Sequence, residues 1–108
     1  MSTTPSTAPA LLDAALQTLA KRGTDYDQPH GERSMAHCVR IFNAITGQQM
    51  SERDGWLFMV ALKLARSQKG APKADTYLDG AAYFALFGEC EIQSADLAEL
   101  NQSLGLAP

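Results

Sequence analysis

An all-α bundle is the fold that the sequence predicts. Apolar residues recur at helical spacing in one stretch after another, and no run alternates with period two for long enough to make a strand. Helix start and stop residues also punctuate the chain at helix-length intervals. The 108 residues, 45% hydrophobic and 19% charged, suffice for one small domain with one core, expected over residues 10–108. Residues 1–9 hold Ser, Thr, Pro and Ala with little to bury, and are expected to be a disordered tail.

The first helix is expected from Ala10 to Arg22, on the spacing of Leu11, Leu12, Ala15, Leu16 and Leu19, with Gly23 as its stop after Lys21 and Arg22. Gly23 to Gly31 reads as an ordered loop, because Pro29 turns Gln28 away from helical geometry. A second helix runs from Glu32 to near Gly47, with Met35, Cys38, Val39, Phe42 and Ile45 as its apolar stripe. Ser51-Glu-Arg-Asp54 has the form of a capping box and opens a third helix. The body of that helix, Trp56 to Ala65, is apolar almost all round, as the central helix of a bundle would be. After a loop at Gln68 to Pro72, Asp75 is placed to cap a fourth helix reaching about Ile92. Ser94 is placed to cap a short fifth one, carrying Leu97, Leu100 and Leu104, which Gly105 stops. The architecture expected is four main helices plus a short C-terminal helix, with Trp56, Phe58, Met59, Leu62, Phe84 and Phe87 in the core.

Several function classes are excluded or disfavoured at this point. A formal net charge of −3 with nine Lys plus Arg argues against bulk electrostatic binding of nucleic acid. No apolar run reaches the ~18 residues of a membrane span, and the first ten residues lack the features of a secretory signal, so a cytoplasmic location is expected. Cys38 and Cys90 have no framework spacing and read as reduced thiols, Cys38 buried on the apolar stripe. A zinc site at His30, His37 and Cys38 is disfavoured, because tetrahedral sites use ligands paired at close spacing.

Two polar sets carry the candidate chemistry. Lys63 and Arg66 share a face of the third helix; Asp75 and Asp79 lie one turn apart at the start of the fourth, and Tyr83 follows one turn later. The short connection makes these two helices an antiparallel hairpin, which sets Arg66 near Asp75 and Lys63 near Asp79, with Lys73 in the loop between. Two readings stand. The charges are ion pairs that staple the hairpin, or they form an anion site in which Lys63, Arg66 and Lys73 hold phosphate oxygens and Asp75 with Asp79 holds a bridging Mg2+. A second candidate is the loop region with Arg22, Asp25, Tyr26, Asp27, His30 and Glu32, where a ligand site and plain turn capping are both open.

Three separated motifs carry a resemblance. They are Arg22-Gly-Thr-Asp-Tyr-Asp-Gln-Pro29, Leu62-Lys-Leu-Ala-Arg66 and Lys73-Ala-Asp-Thr-Tyr-Leu-Asp-Gly-Ala-Ala-Tyr83. Over about Leu12 to Cys90 the chain resembles a family of small phage and prophage proteins of unknown function. Asp27 stands where that family usually has glycine. More distantly the pattern is similar to nucleotide-modification-associated domains and to MazG-like all-α nucleoside triphosphate pyrophosphatases, which hold Mg2+ on acidic residues of bundle helices.

The function expected is that of a phage accessory protein that binds, or hydrolyses, a nucleotide or another phosphate-bearing small molecule. Lys63, Arg66 and Lys73 would hold the phosphate, Tyr26 or Tyr83 the base, Arg22 would assist from the loop, and Asp75 with Asp79 would hold Mg2+. No residue is assigned a catalytic role. The alternative is a non-enzymatic interaction module that binds a host protein, the charged hairpin being purely structural. A homo-oligomer, most simply a twofold dimer, is expected in either case, since the third and fourth helices have more apolar surface than one small bundle can cover.

Overall fold

The computed structural model of the chain describes residues 4–26 and 34–106, with 23–26 described by their backbone alone. Within these residues the fold is all-α, with helices α1 (Ala8–Tyr26), α2 (Ser34–Thr46), α3 (Glu52–Ser67) and α4 (Ala74–Ser103) and no strand. Each helix follows from its sequence, though four ends differ from expectation.

The first of these is in α1, which starts two residues early. The Thr7 hydroxyl accepts from Ala10 N at 3.3 Å, and the Thr7 carbonyl accepts from Leu11 N at 2.9 Å. Pro9 is tolerated because a first-turn amide has no helical partner anyway. The helix also runs past Gly23 to Tyr26. α2 ends as expected, at a Gly47 whose φ of +77° suits the left-handed position after a helix. The capping box of α3 forms as expected: the Ser51 hydroxyl accepts from Asp54 N and the Asp54 carboxylate accepts from Ser51 N, each at 3.1 Å. In α4 the expectations fail twice. Its N-cap is Lys73 rather than Asp75, and the helix is continuous for 30 residues, so Ser94 lies inside it and no separate C-terminal helix exists. Nothing between Gly88 and Gly105 can break a helix, and a serine within a run of good helix formers does not stop it.

The central helix is α4, not α3. Helix α1 packs along one side of it, where Ala15 meets Leu78 and Ala82, and α3 packs along the other, where Trp56 meets Tyr83 and Leu86. Leu19 of α1 reaches this second cluster and joins the two sides. Trp56 is 2% exposed, and its indole donates to Glu52 at 3.2 Å. Met59, Leu62 and Phe87 are partly buried as expected, but Phe58 and Phe84 are 65% and 60% exposed and leave the expected core. A helix covered by α4 along one side and by α2 only at its start cannot bury an all-round apolar surface, which is why Phe58 and Leu64 of α3 face outward.

Helix α2 leans on the start of α3 through Met35 and Val39, over Gly55. Only Val39 of its apolar stripe is buried; Phe42 and Ile45 are exposed, and so is Cys38, against expectation. Beyond Glu91 every α4 residue except Asn101 is exposed, so that the last part of the helix projects from the body. A 30-residue helix is about 45 Å long, which accounts for most of the 55 Å long axis.

Candidate functional site

Six charged side chains meet where α3 turns into α4. Lys63 and Arg66 come from the last turns of α3, Lys69 from the connection, Lys73 from the α4 N-cap, and Asp75 and Asp79 from its first turns. They line one open pocket of about 530 Å3. The connection is short because Gly70 adopts a φ of +74°, a backbone that a side chain would strain. Pro72 then stands two residues before α4 begins.

One of the two expected pairs forms. Lys63 Nζ lies 3.4 Å from Asp79 Oδ2, and these side chains are 14% and 22% exposed. Arg66 and Asp75 do not pair with each other, since both are exposed and neither has a salt bridge among the described residues. The staple is therefore a single ion pair, with Arg66, Lys69 and Lys73 directed to the pocket as further cations. The start of α4 adds to the same field. Lys73 caps it without a side-chain hydrogen bond, and Lys73, Asp75 and Thr76 at this positive end of the helix dipole line the pocket.

A resident Mg2+ does not fit this donor set. Asp79 already faces an ammonium group, Asp75 is a single carboxylate beside it, and four cationic side chains share the pocket with these two acids. No group of three or more His, Cys, Asp or Glu side chains suited to a metal ion is found among the described residues. What the arrangement can do is hold an anion, since Lys offers rotatable donors and Arg a planar fork for phosphate oxygens.

Tyr83 does not reach this pocket. It is 8% exposed, its ring lies 6.1 Å from that of Trp56, and its hydroxyl accepts from Arg22 Nη1 at 2.9 Å. The Arg22 guanidinium also covers the Tyr83 ring at 5.3 Å. Arg22 thus ties α1 to α4 through Tyr83. Tyr26 ends α1, but its side chain lies outside the described residues, as do those of Asp25, Asp27, His30 and Glu32.

One charged and one aromatic lining residue escape the sequence reading, Lys69 and Tyr77. Lys69 was legible as a third cation three residues after Arg66. Tyr77 is 45% exposed and stands one turn after Lys73, so the aromatic side chain at the pocket is this one.

The family described as "Domain of unknown function (DUF6378)" matches residues 10–91, a span that contains every described residue of the pocket. No curated protein and no solved structure matches the chain.

Proposed function

The chain belongs to the DUF6378 family, and from the pocket inside the family span we propose that the protein binds a phosphate-bearing small molecule, a nucleotide among the candidates. The observation that carries this reading is the convergence of Lys63, Arg66, Lys69 and Lys73 on one pocket at a helix start. Four cations against Asp75 and Asp79 leave a net positive pocket on a chain whose formal charge is −3. Such a local inversion of charge favours a small anion and does not extend far enough to track a nucleic-acid backbone.

The proposal is one of binding and stops short of turnover. MazG-like pyrophosphatases carry acid pairs on two helices, whereas Asp75 and Asp79 share one. A thermal-shift panel of nucleoside mono-, di- and triphosphates and of pyrophosphate, each with and without Mg2+, tests it. We expect saturable stabilisation by at least one of these without the metal; a flat response across the panel would remove the reading.

A second reading, that of a phage-encoded module binding a host protein, rests on the projecting end of α4. Leu97, Leu100 and Leu104 are each more than half exposed there, beyond the family span. Leu97 stands seven residues after Cys90, two turns on, and Leu100 and Leu104 follow at three and four, so these leucines continue, uncovered, the seam on which Leu86 and Cys90 pack. The same seam supports the proposed twofold dimer.

A further inference from the structure

A second cavity, of about 360 Å3, opens beside the cationic pocket on the outer side of the α3–α4 hairpin. Its walls are Val60 and Leu64 from α3 and Gly80 and Phe84 from α4, while Lys63, Ser67, Thr76 and Tyr77 line both cavities. The two therefore form one groove with a charged end and an apolar end. Leu64 and Phe84 are each about 60% exposed along it, next to a cluster of ammonium and guanidinium groups.

Gly80 lies on the floor of the apolar end, and the fold does not need a glycine there. Its φ is not positive, and a Cβ added to it would meet only the Lys63 Cβ, at an ordinary 3.5 Å. Alanine would fit and would favour the helix. What glycine provides at this position is a floor without a side chain, next to Lys63. The groove also offers little to a hydrogen-bonding ring. The Ser67 hydroxyl donates to Leu64 O at 2.6 Å and accepts from Gln68 at 3.2 Å. The apolar end then offers the polar edge of a nucleobase only the Thr76 and Tyr77 hydroxyls at its border with the cationic pocket, whereas a hydrocarbon loses nothing there.

We propose that the ligand is an amphipathic phosphate ester, whose phosphate lies among Lys63, Arg66, Lys69 and Lys73 and whose apolar body, aryl or alkyl, lies over Gly80 between Leu64 and Phe84. This rests on the phosphate reading above and narrows its ligand class. Charge complementarity at one end and apolar complementarity at the other select such a molecule over a bare polyphosphate.

The test compares inorganic phosphate with 1-naphthyl phosphate by calorimetric titration of the full chain, wild type against Gly80→Leu, Gly80→Ala and Arg66→Met. The naphthyl ester is expected to bind at least about tenfold more tightly than phosphate, the gain from burying part of its ring system. Gly80→Leu is expected to cancel that advantage and Gly80→Ala to reduce it, with phosphate affinity unchanged in both, and Arg66→Met to weaken both ligands. The alanine variant keeps the test decisive if the leucine variant fails to fold. Phosphate binding with no advantage for the naphthyl ester, or an advantage retained in the Gly80 variants, overturns this inference alone. No binding of phosphate together with indifference to Arg66→Met overturns the phosphate reading beneath it.

Discussion

Lys63 faces two ways: it pairs with Asp79 inside the hairpin and lines both the charged and the apolar end of the groove. The sign of one substitution therefore separates two roles for Asp79. If the carboxylate only neutralises Lys63, Asp79→Asn frees that ammonium, and phosphate affinity rises; a carboxylate holding a bridging Mg2+ would give a loss. We predict the rise, read by calorimetry in the absence and presence of Mg2+. It is accompanied by a stability loss of about 1–2 kcal/mol, between the exposed and fully buried limits for such pairs. Arg66→Met removes an exposed side chain without an ion pair among the described residues, so stability is predicted to change by less than about 0.5 kcal/mol in urea unfolding. Tyr83→Phe is predicted to cost about 1 kcal/mol through the lost bond from Arg22, with ligand binding unchanged. The sequence reading had put Tyr83 beside the ligand because Asp75, Asp79 and Tyr83 are spaced by four. Each such step turns about 40° around a 3.6-residue helix, and two steps carry the ring from the pocket into the core. The Lys63–Asp79 pair was legible for the opposite reason: one short connection fixes the register of two neighbouring helices.

At the scale of elements, the capping box that opens α3 is the best-specified local signal. Hydrogen bonds from the Ser51 backbone and hydroxyl, with Arg53 beside it, hold the Asp54 carboxyl below its ordinary value of 3.8. A carboxyl lowered on folding stabilises the folded state above its unfolded value, and the stabilisation is lost as pH falls through the lowered one. Ser51→Ala removes the hydroxyl that accepts from Asp54 N and is predicted to destabilise the fold, and the part of that loss carried by the Asp54 carboxylate is predicted to shrink in acid, as followed by unfolding at pH 7 and pH 3. Gly55 is where α2 rests on α3, since a Cβ there would stand 2.9 Å from Met35 Cγ and 3.0 Å from Val39 Cγ1. Gly55→Leu should cost about 1–3 kcal/mol by overpacking, although leucine is the better helix former. Caps made by side chains were readable from sequence, as at Ser51. The length of α4 was not, because Ser94 has the residue type of a cap and only the absence of a following breaker shows that the helix continues. The exposure of Phe58 and Phe84 was unreadable for a different cause. Apolar periodicity shows that a face is to be covered and does not say by what.

For the whole molecule, the described fold is one helix with neighbours on two sides and a long uncovered end. The exposed leucines of that end lie beside Asp96 and Glu99. If the proposed dimer uses this seam, light scattering gives twice the chain mass of 11.6 kDa, and Leu97→Lys with Leu100→Lys returns a monomer whose body still melts cooperatively. A monomer for the wild type at high concentration contradicts it. The central claim, however, is the anion pocket, and pyrophosphate is its most direct probe because it carries charge without a base, a sugar or an apolar body. Thermal unfolding of the wild type with rising pyrophosphate, in the absence of Mg2+, is predicted to show saturable stabilisation. It should reach about 2.7 kcal/mol at a hundred times the dissociation constant, and most of it should disappear in a folded Arg66→Met, Lys73→Met variant. A wild type that pyrophosphate leaves unchanged, or a variant stabilised as much as the wild type, would contradict the account.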